Sequence, residues 1–267
     1  MNKNVSIAIT AALVMNGGIV NAQEATNIGK HNITLSKDVM TPETLWAMGR
    51  IGSAQASPDG NKIVYQVGYY SVKENRGHQV ICVMDSDGQN VRQLTTSAKS
   101  EGSPVWLDNH TIAFLLDGQI WSMNSDGTNR KKLSSSDIEI EGFRFSPDGK
   151  KVLLIKSIPY YGTIKKNPSD LPKASGRLIT DMNYRHWDHY VETIAHPFVA
   201  EVTANGISKN DVDIIEGEPY ESPLAPFGGI EQFDWSKDSK QIAYTCRKKE
   251  GVKYAVSTDA DIYLYNI

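Results

Sequence analysis

Along the chain, short apolar runs follow polar turn clusters in a recurring pattern. Ser57-Pro58-Asp59-Gly60-Asn61-Lys62 precedes Ile63-Val64-Tyr65, and Ser146-Pro147-Asp148-Gly149-Lys150-Lys151 precedes Val152-Leu153-Leu154. Ser236-Lys237-Asp238-Ser239-Lys240-Gln241 precedes Ile242-Ala243-Tyr244, and a degenerate copy places Asp108-Asn109-His110-Thr111 before Ile112-Ala113-Phe114. A second unit, Val83-Met84-Asp85-Ser86-Asp87-Gly88 leading to Arg92-Gln93-Leu94-Thr95, recurs as Ser122-Met123-Asn124-Ser125-Asp126-Gly127 leading to Lys131-Lys132-Leu133-Ser134. Both units predict hairpins. Proline presets φ at the second turn position, Asp bonds the local backbone, and Gly takes the left-handed conformation that closes the loop. Asp-Gly between two apolar runs is a similar signal.

Two hairpins per repeat make four antiparallel strands. The first apolar residues after successive turns, Ile63, Ile112, Val152 and Ile242, are 49, 40 and 90 residues apart. About 40–45 residues per four-stranded unit is the period of a β-propeller blade. The predicted class is therefore all-β: an incomplete β-propeller of about four four-stranded blades, the last one truncated, with a long, partly helical insertion in the third. Blades are expected at about 50–96, 103–134, 142–232 and 233–267, with the insertion at 158–229. Residues 179–194 read as a short helix within it, and His196, before Pro197, is expected in a turn. Residues 23–49 form an N-terminal segment in which Thr41-Pro42-Glu43 caps a short helix over 42–48. The unfinished last blade predicts that a longer protein continues past Ile267, because an open ring would expose strand edges.

Lys3 followed by a mostly apolar stretch at 5–15 and the small residues Val20-Asn21-Ala22 predict a signal peptide over 1–22. That apolar stretch is about half of the roughly 20 residues a membrane span needs. A periplasmic or secreted protein with no membrane span after signal removal is expected. The 267 residues include 22% charged and 40% hydrophobic positions with a formal net charge of −3, a balance that excludes a disordered chain and gives no electrostatic reason to expect nucleic acid. Two cysteines, Cys82 and Cys246, are too few for a disulfide scaffold and are expected as small buried apolar residues.

The sequence contains no Gly-x-Ser-x-Gly elbow and no glycine-rich phosphate loop, so no nucleophile or phosphate cradle is indicated. Its densest polar-aromatic cluster is Tyr184-Arg185-His186-Trp187-Asp188-His189-Tyr190-Val191-Glu192. On a helix His186, His189 and Glu192 would share a face, a superficial metal-ligand set. Asp188, Glu192 or Arg185 could instead pair with a charged substrate end, or the charges could be solvated while Trp187 and Tyr190 pack inward. No cofactor or metal is expected. Asp85, Asp87 and Asn90 faintly resemble a calcium loop, but Asn124, Asp126 and Asn129 repeat the arrangement without the remaining ligands, so turn chemistry explains both.

Leu45-Trp46-Ala47-Met48 before the first Ser-Pro-Asp-Gly, together with the repeats, resembles the front half of a prolyl oligopeptidase family enzyme. Asp170-Leu171-Pro172-Lys173-Ala174-Ser175-Gly176-Arg177, Tyr184-Arg185-His186-Trp187-Asp188, Glu216-Gly217-Glu218-Pro219-Tyr220-Glu221 and Gly229-Ile230-Glu231-Gln232-Phe233-Asp234-Trp235 resemble the bacterial dipeptidyl-peptidase V type. The resemblance implies a propeller serving as lid to a C-terminal α/β-hydrolase domain. There the serine of a Ser-Asp-His triad attacks the peptide carbonyl with histidine as base. It implies a peptide substrate and a homodimeric parent, and it places no catalytic residue in this chain. Relatives of the dipeptidyl-peptidase IV type hold the substrate ammonium with a Glu-Glu pair. None exists here, so Asp188 and Glu192 are the candidates for that carboxylate, with Arg185 beside them. The rival expectation is a periplasmic TolB-like propeller that scaffolds other proteins.

Overall fold

The computed structural model describes residues 28–34, 38–160, 164–165, 173, 178–179 and 191–267. The segment at 1–22 and most of the 158–190 stretch, including Arg185 and Asp188, lie outside them. A short helix α1 (Pro42–Ala47) leads into the first sheet. Thr41 caps α1, its hydroxyl accepting the Thr44 N–H at 3.2 Å, and Pro42 sits where no helical N–H is needed.

The first sheet has the order β1 (Arg50–Ala56), β2 (Lys62–Ser71), β3 (Arg76–Asp85), β4 (Arg92–Gln93). The second repeats it with β5 (Glu101–Trp106), β6 (Thr111–Leu116), β7 (Gln119–Asn124) and β8 (Lys131–Lys132). The third begins with β9 (Ile140–Phe145) and β10 (Lys151–Pro159). Two short strands, β11 (Ile164–Lys165) and β12 (Leu178–Ile179), pair separately before β13 (Thr193–Thr203) and β14 (Gly206–Asp213) complete the third sheet in the order β14-β13-β10-β9. In the fourth, β15 (Phe233–Trp235), β16 (Gln241–Cys246) and β17 (Asp261–Asn266) pair in sequence, with α2 (Gly251–Val256) between the last two. All these pairings are antiparallel.

Three sequence expectations change here. The stretch expected as an insertion supplies β13 and β14, so the excursion from the third sheet runs only between Pro159 and Thr193. The hairpin joining them turns at Ala204-Asn205-Gly206, with Gly206 at φ +122°. Thr193 and Ile194, expected to end a helix, are strand residues. His196 is not in a turn but inside β13, opposite Lys156 of β10. Pro197 stands opposite Ile155 of β10, and its carbonyl accepts the Ile214 N–H at 3.0 Å.

The turns carry a repeated hydrogen-bond set. The Ser57 hydroxyl donates to Asp59 at 2.6 Å and accepts the Lys62 N–H at 3.0 Å, while Asp59 accepts the Asn61 N–H at 3.1 Å. Ser146-Asp148 and Ser236-Asp238 reproduce it, with hydroxyl–carboxylate distances of 2.7 and 2.6 Å. Gly60 and Gly149 close their turns at φ +72° and +69°, and Ser239 takes the same conformation at +62° in the third copy. The turn hydroxyls, followed by backbone N–H groups, hold the Asp59, Asp148 and Asp238 carboxyls below the usual aspartate range. Each therefore protonates at lower pH in the folded chain than in the unfolded one. Their contribution is present above about pH 4 and is lost as pH falls through the depressed native values. Thermal midpoints measured from pH 7 downward are expected to fall steeply below about pH 4. The Asp59→Asn/Asp148→Asn/Asp238→Asn chain should show a shallower decline, and parallel curves would contradict this account.

Alternate residues of each strand face opposite neighbours, so the sheets stack in chain order. Val64, Ile81 and Val83 pack on Ile112, Phe114 and Met123; Ala113 and Ile120 pack on Val152, Leu154 and Phe198; Leu153 and Ile155 pack on Phe233, Ile242 and Tyr244. A strand buried on both faces reads as a continuous apolar run, which is what Val152-Leu153-Leu154-Ile155 shows. Two indoles tie neighbouring sheets together at equivalent positions. Trp106 Nε1–H donates to the Gln55 carbonyl, and Trp235 Nε1–H to the Arg144 carbonyl, both at 3.0 Å. Cys82 and Cys246 are both buried.

Candidate functional site

The two ends of the stack differ. The β1–β2 and β5–β6 turns touch, the Asp59 N–H donating to Asn109 at 3.0 Å, and the β9–β10 and β15–β16 turns touch through the Asp148 N–H and the Ser239 hydroxyl at 3.1 Å. That end carries tight, self-satisfied turns. Because the strands alternate in direction, the β2–β3, β10–β13 and β16–β17 connections leave from the opposite end. These are the longer ones: the Val72–Asn75 tip beside α1, the 160–192 excursion, and the 247–260 link containing α2. Loops on a rigid scaffold are the usual carriers of function, so the candidate site lies at this end.

Between the inner strands is a cavity of about 350 Å³ with Ser53, Ser103 and Glu141 among its lining residues and Ile230 closing one side. Ser103 adopts φ +51° beside a register shift in β5, and its N–H bonds to Gln66 Oε1 of the first sheet at 2.8 Å. The neighbouring position is Gly102, where a side chain would displace the ends of two glutamines. A Cβ at Gly102 would stand 2.7 Å from the side-chain oxygens of both Gln66 and Gln79.

Glu192, one of the three predicted substrate-binding residues, sits exposed at the mouth of the 160–192 excursion, its carbonyl accepting the Tyr160 N–H at 2.9 Å. Its predicted companions Asp188 and Arg185 lie outside the described residues, as do His186 and His189 of the metal-ligand alternative. The structure thus locates where the excursion leaves the sheet without bringing the three predicted residues together.

Beneath that mouth lies a charged cluster that the sequence reading passed over. Lys156 pairs with Asp211 at 2.7 Å, their side chains only 6% and 15% exposed, and its ammonium stands 3.8 Å over the Phe198 ring. His196 is 0% exposed, its Nδ1 lying 2.8 Å from Asp213, while Asp213 also accepts the Ile215 N–H at 3.0 Å. Lys156 interrupts the apolar run of β10, and such an interruption is the one local signal of a paired buried charge. His196 is sealed from solvent and is not among the residues lining the cavity. The cluster holds β13 and β14 in place at the base of the excursion.

A third group stands on the 214–260 segments. Tyr254 and Glu221 are both buried, and the tyrosine hydroxyl donates to the carboxylate. The Ser222 hydroxyl reaches the Thr245 carbonyl at 2.8 Å. Lys248 pairs with Glu218 at 2.7 Å and lies 4.6 Å above the Tyr263 ring. Partial burial is the largest influence and opposes its charge, but the Glu218 hydrogen bond together with the electrostatic pull of Tyr244, Glu218 and Cys246 raises the Lys248 pKa.

No protein-family model matches the chain. The chain is 41% identical over 272 residues to a protein named dipeptidyl-peptidase 5 from Porphyromonas gingivalis, covering 100% of this chain and 38% of that protein. Dipeptidyl-peptidase 5 of Porphyromonas endodontalis is 37% identical over 239 residues, covering 88% of this chain and 34% of that protein. The chain therefore spans little more than a third of the length of these relatives. Among solved structures, an acylaminoacyl peptidase of Pyrococcus horikoshii matches with a TM-score of 0.53 at 13% identity, covering 84% of this chain and 32% of that one. That likeness shows the fold, a propeller-like stack of antiparallel sheets. With 41% identity extending from end to end, the chain is a homologue of the bacterial dipeptidyl-peptidase 5 proteins and belongs with them to the prolyl oligopeptidase family.

Proposed function

We propose that this chain is the β-propeller part of a secreted serine dipeptidyl-peptidase, an enzyme that releases dipeptides from peptide N-termini. The observation that carries the reading is the 41% identity to dipeptidyl-peptidase 5 of Porphyromonas gingivalis across the whole chain, over 38% of that protein. The sequence holds no Gly-x-Ser-x-Gly, which agrees with a nucleophile supplied by a separate α/β-hydrolase domain of a periplasmic or secreted, homodimeric parent. In this reading the four stacked sheets form blades of the lid. The excursion that leaves beside Glu192 supplies the carboxylate that holds the substrate ammonium, from Glu192 or Asp188, with Arg185 alongside. A carboxylate is the group that a free amino terminus requires in a partly dry cavity.

Two measurements test this. The purified 267-residue chain, given a chromogenic dipeptide substrate, is expected to show no turnover, and turnover would contradict the proposal. In the parent enzyme, Glu192→Gln/Asp188→Asn should raise KM for peptides with a free amino terminus by about tenfold or more, the loss of one charge-assisted hydrogen bond. An unchanged KM would remove these residues from the site.

A further inference from the structure

At the turn end of the stack, away from the long connections, the second and third sheets leave a cavity of about 500 Å³ between them. Trp106 and Leu107 at the end of β5, Leu133 after β8, Phe145 at the end of β9, Val202 of β13 and Ile207 of β14 supply its apolar wall. Leu133, Phe145, Val202 and Ile207 pack against the core between these sheets yet stay only half-buried, so each keeps apolar surface uncovered. Beside the cavity the two sheets are joined, the Ile207 N–H donating to the Leu133 carbonyl at 2.8 Å.

We propose that this cavity binds a small apolar carboxylate, its body between the sheets and its acid group held at the mouth by Lys131. The volume is roughly three times the ~150 Å³ at which an apolar protein cavity admits benzene, and it falls within the range of small-molecule sites. A body of roughly two fused rings fits that space. The donors of the other polar side chains in the wall are engaged within the chain. Trp106 Nε1–H donates to the Gln55 carbonyl at 3.0 Å, the Ser146 hydroxyl to Asp148 at 2.7 Å, and the Thr203 hydroxyl to the Gly206 carbonyl at 2.8 Å. A polar body would lose its hydrogen bonds to water there and find few in exchange, whereas an apolar body gains by leaving water. Lys131 also borders the cavity, is exposed, and takes part in no ion pair among the described residues. Its flexible four-carbon stem lets the ammonium reach an anion at the mouth while the charge stays hydrated. Because the cavity lies at the end opposite the long connections, the inference is independent of the peptidase reading.

The test titrates the 267-residue chain at low salt, by ligand-observed NMR, with 2-naphthylacetate, with its neutral amide and with acetate. Naphthylacetate is expected to bind. Acetate, which lacks the apolar body, should bind at least about thirtyfold more weakly. The amide should bind about threefold more weakly, the size of one exposed charge pair. Lys131→Gln should lower the acid to the level of the amide and leave the amide unchanged, while Lys131→Arg should keep the acid bound. Acetate binding as tightly as naphthylacetate, equal binding of acid and amide, or an acid that Lys131→Gln does not weaken would each overturn the proposal. So would an affinity that falls as the chain concentration rises, which would give the cavity to a second copy of the chain. The three ligands are compared on the unsubstituted chain, so that comparison decides the matter even if a variant fails to fold.

Discussion

Asp211→Ala is expected to destabilise the protein by about 3–5 kcal/mol, because it strands the Lys156 ammonium inside the third sheet. Lys156 is 6% exposed and has Asp211 at 2.7 Å; its other described interaction is with the Phe198 ring. Rotation cannot carry the ammonium to water without leaving the sheet interface, so the unpaired charge remains desolvated. A domain is typically stable by about 5–15 kcal/mol, so a loss of this size is a large fraction of the whole. Urea or thermal denaturation of the variant measures it. Removing both charges separates burial from pairing. Lys156→Met/Asp211→Leu should recover most of the loss, since replacing a buried pair by packed apolar groups is often neutral or favourable. A double variant as unstable as Asp211→Ala would show that the strands need the ion pair for something other than charge balance.

Arg130→Met should cost a similar 3–5 kcal/mol by the mirror-image route, leaving a buried carboxylate without its cation. Glu101 is 1% exposed at the start of β5, its carboxylate bonded to the Arg130 guanidinium, which also lies 5.1 Å from the Phe114 ring centroid. Methionine replaces most of the arginine stem, so the packing loss is small and the measured change reports mainly the stranded charge. Glu101→Gln added to Arg130→Met is expected to restore a substantial part of the stability. Failure of that rescue would assign the loss to packing on Phe114. Glu101 and Asp211 belong to different sheets, so the two effects should add when combined.

The hairpin turns were legible because their chemistry is local. Ser57, Asp59 and Gly60 make the bonds that their residue types and spacing imply, and Ser146-Asp148-Gly149 and Ser236-Asp238-Ser239 repeat them. The third sheet was less legible. Its outer hairpin turns on Ala204-Asn205 with Gly206 opposite Thr203 at the start of β14, and a repeat template keyed to Asp-Gly passes over it. His196 read as a turn residue because Pro197 follows it. What places it in a strand is the pairing of β13 with β10, where it stands opposite Lys156. The site divides the same way. Glu192 could be singled out from its charged and aromatic neighbours, while Lys156, Asp211 and Asp213 became visible only as partners.

By itself the sequence determined the repeated strand–turn–strand units and their order, because turn bonding acts over a few residues. It also carried the family resemblance, since residue identity persists independently of packing. Only the tertiary structure decided which strands share the third sheet, where Lys156 and Glu101 find counter-charges, and which end bears the long connections. Those outcomes depend on residues tens of positions apart meeting in a desolvated interior. There the strength of an interaction is set by the partner across the interface and by the exclusion of water, neither of which any single stretch of the chain contains.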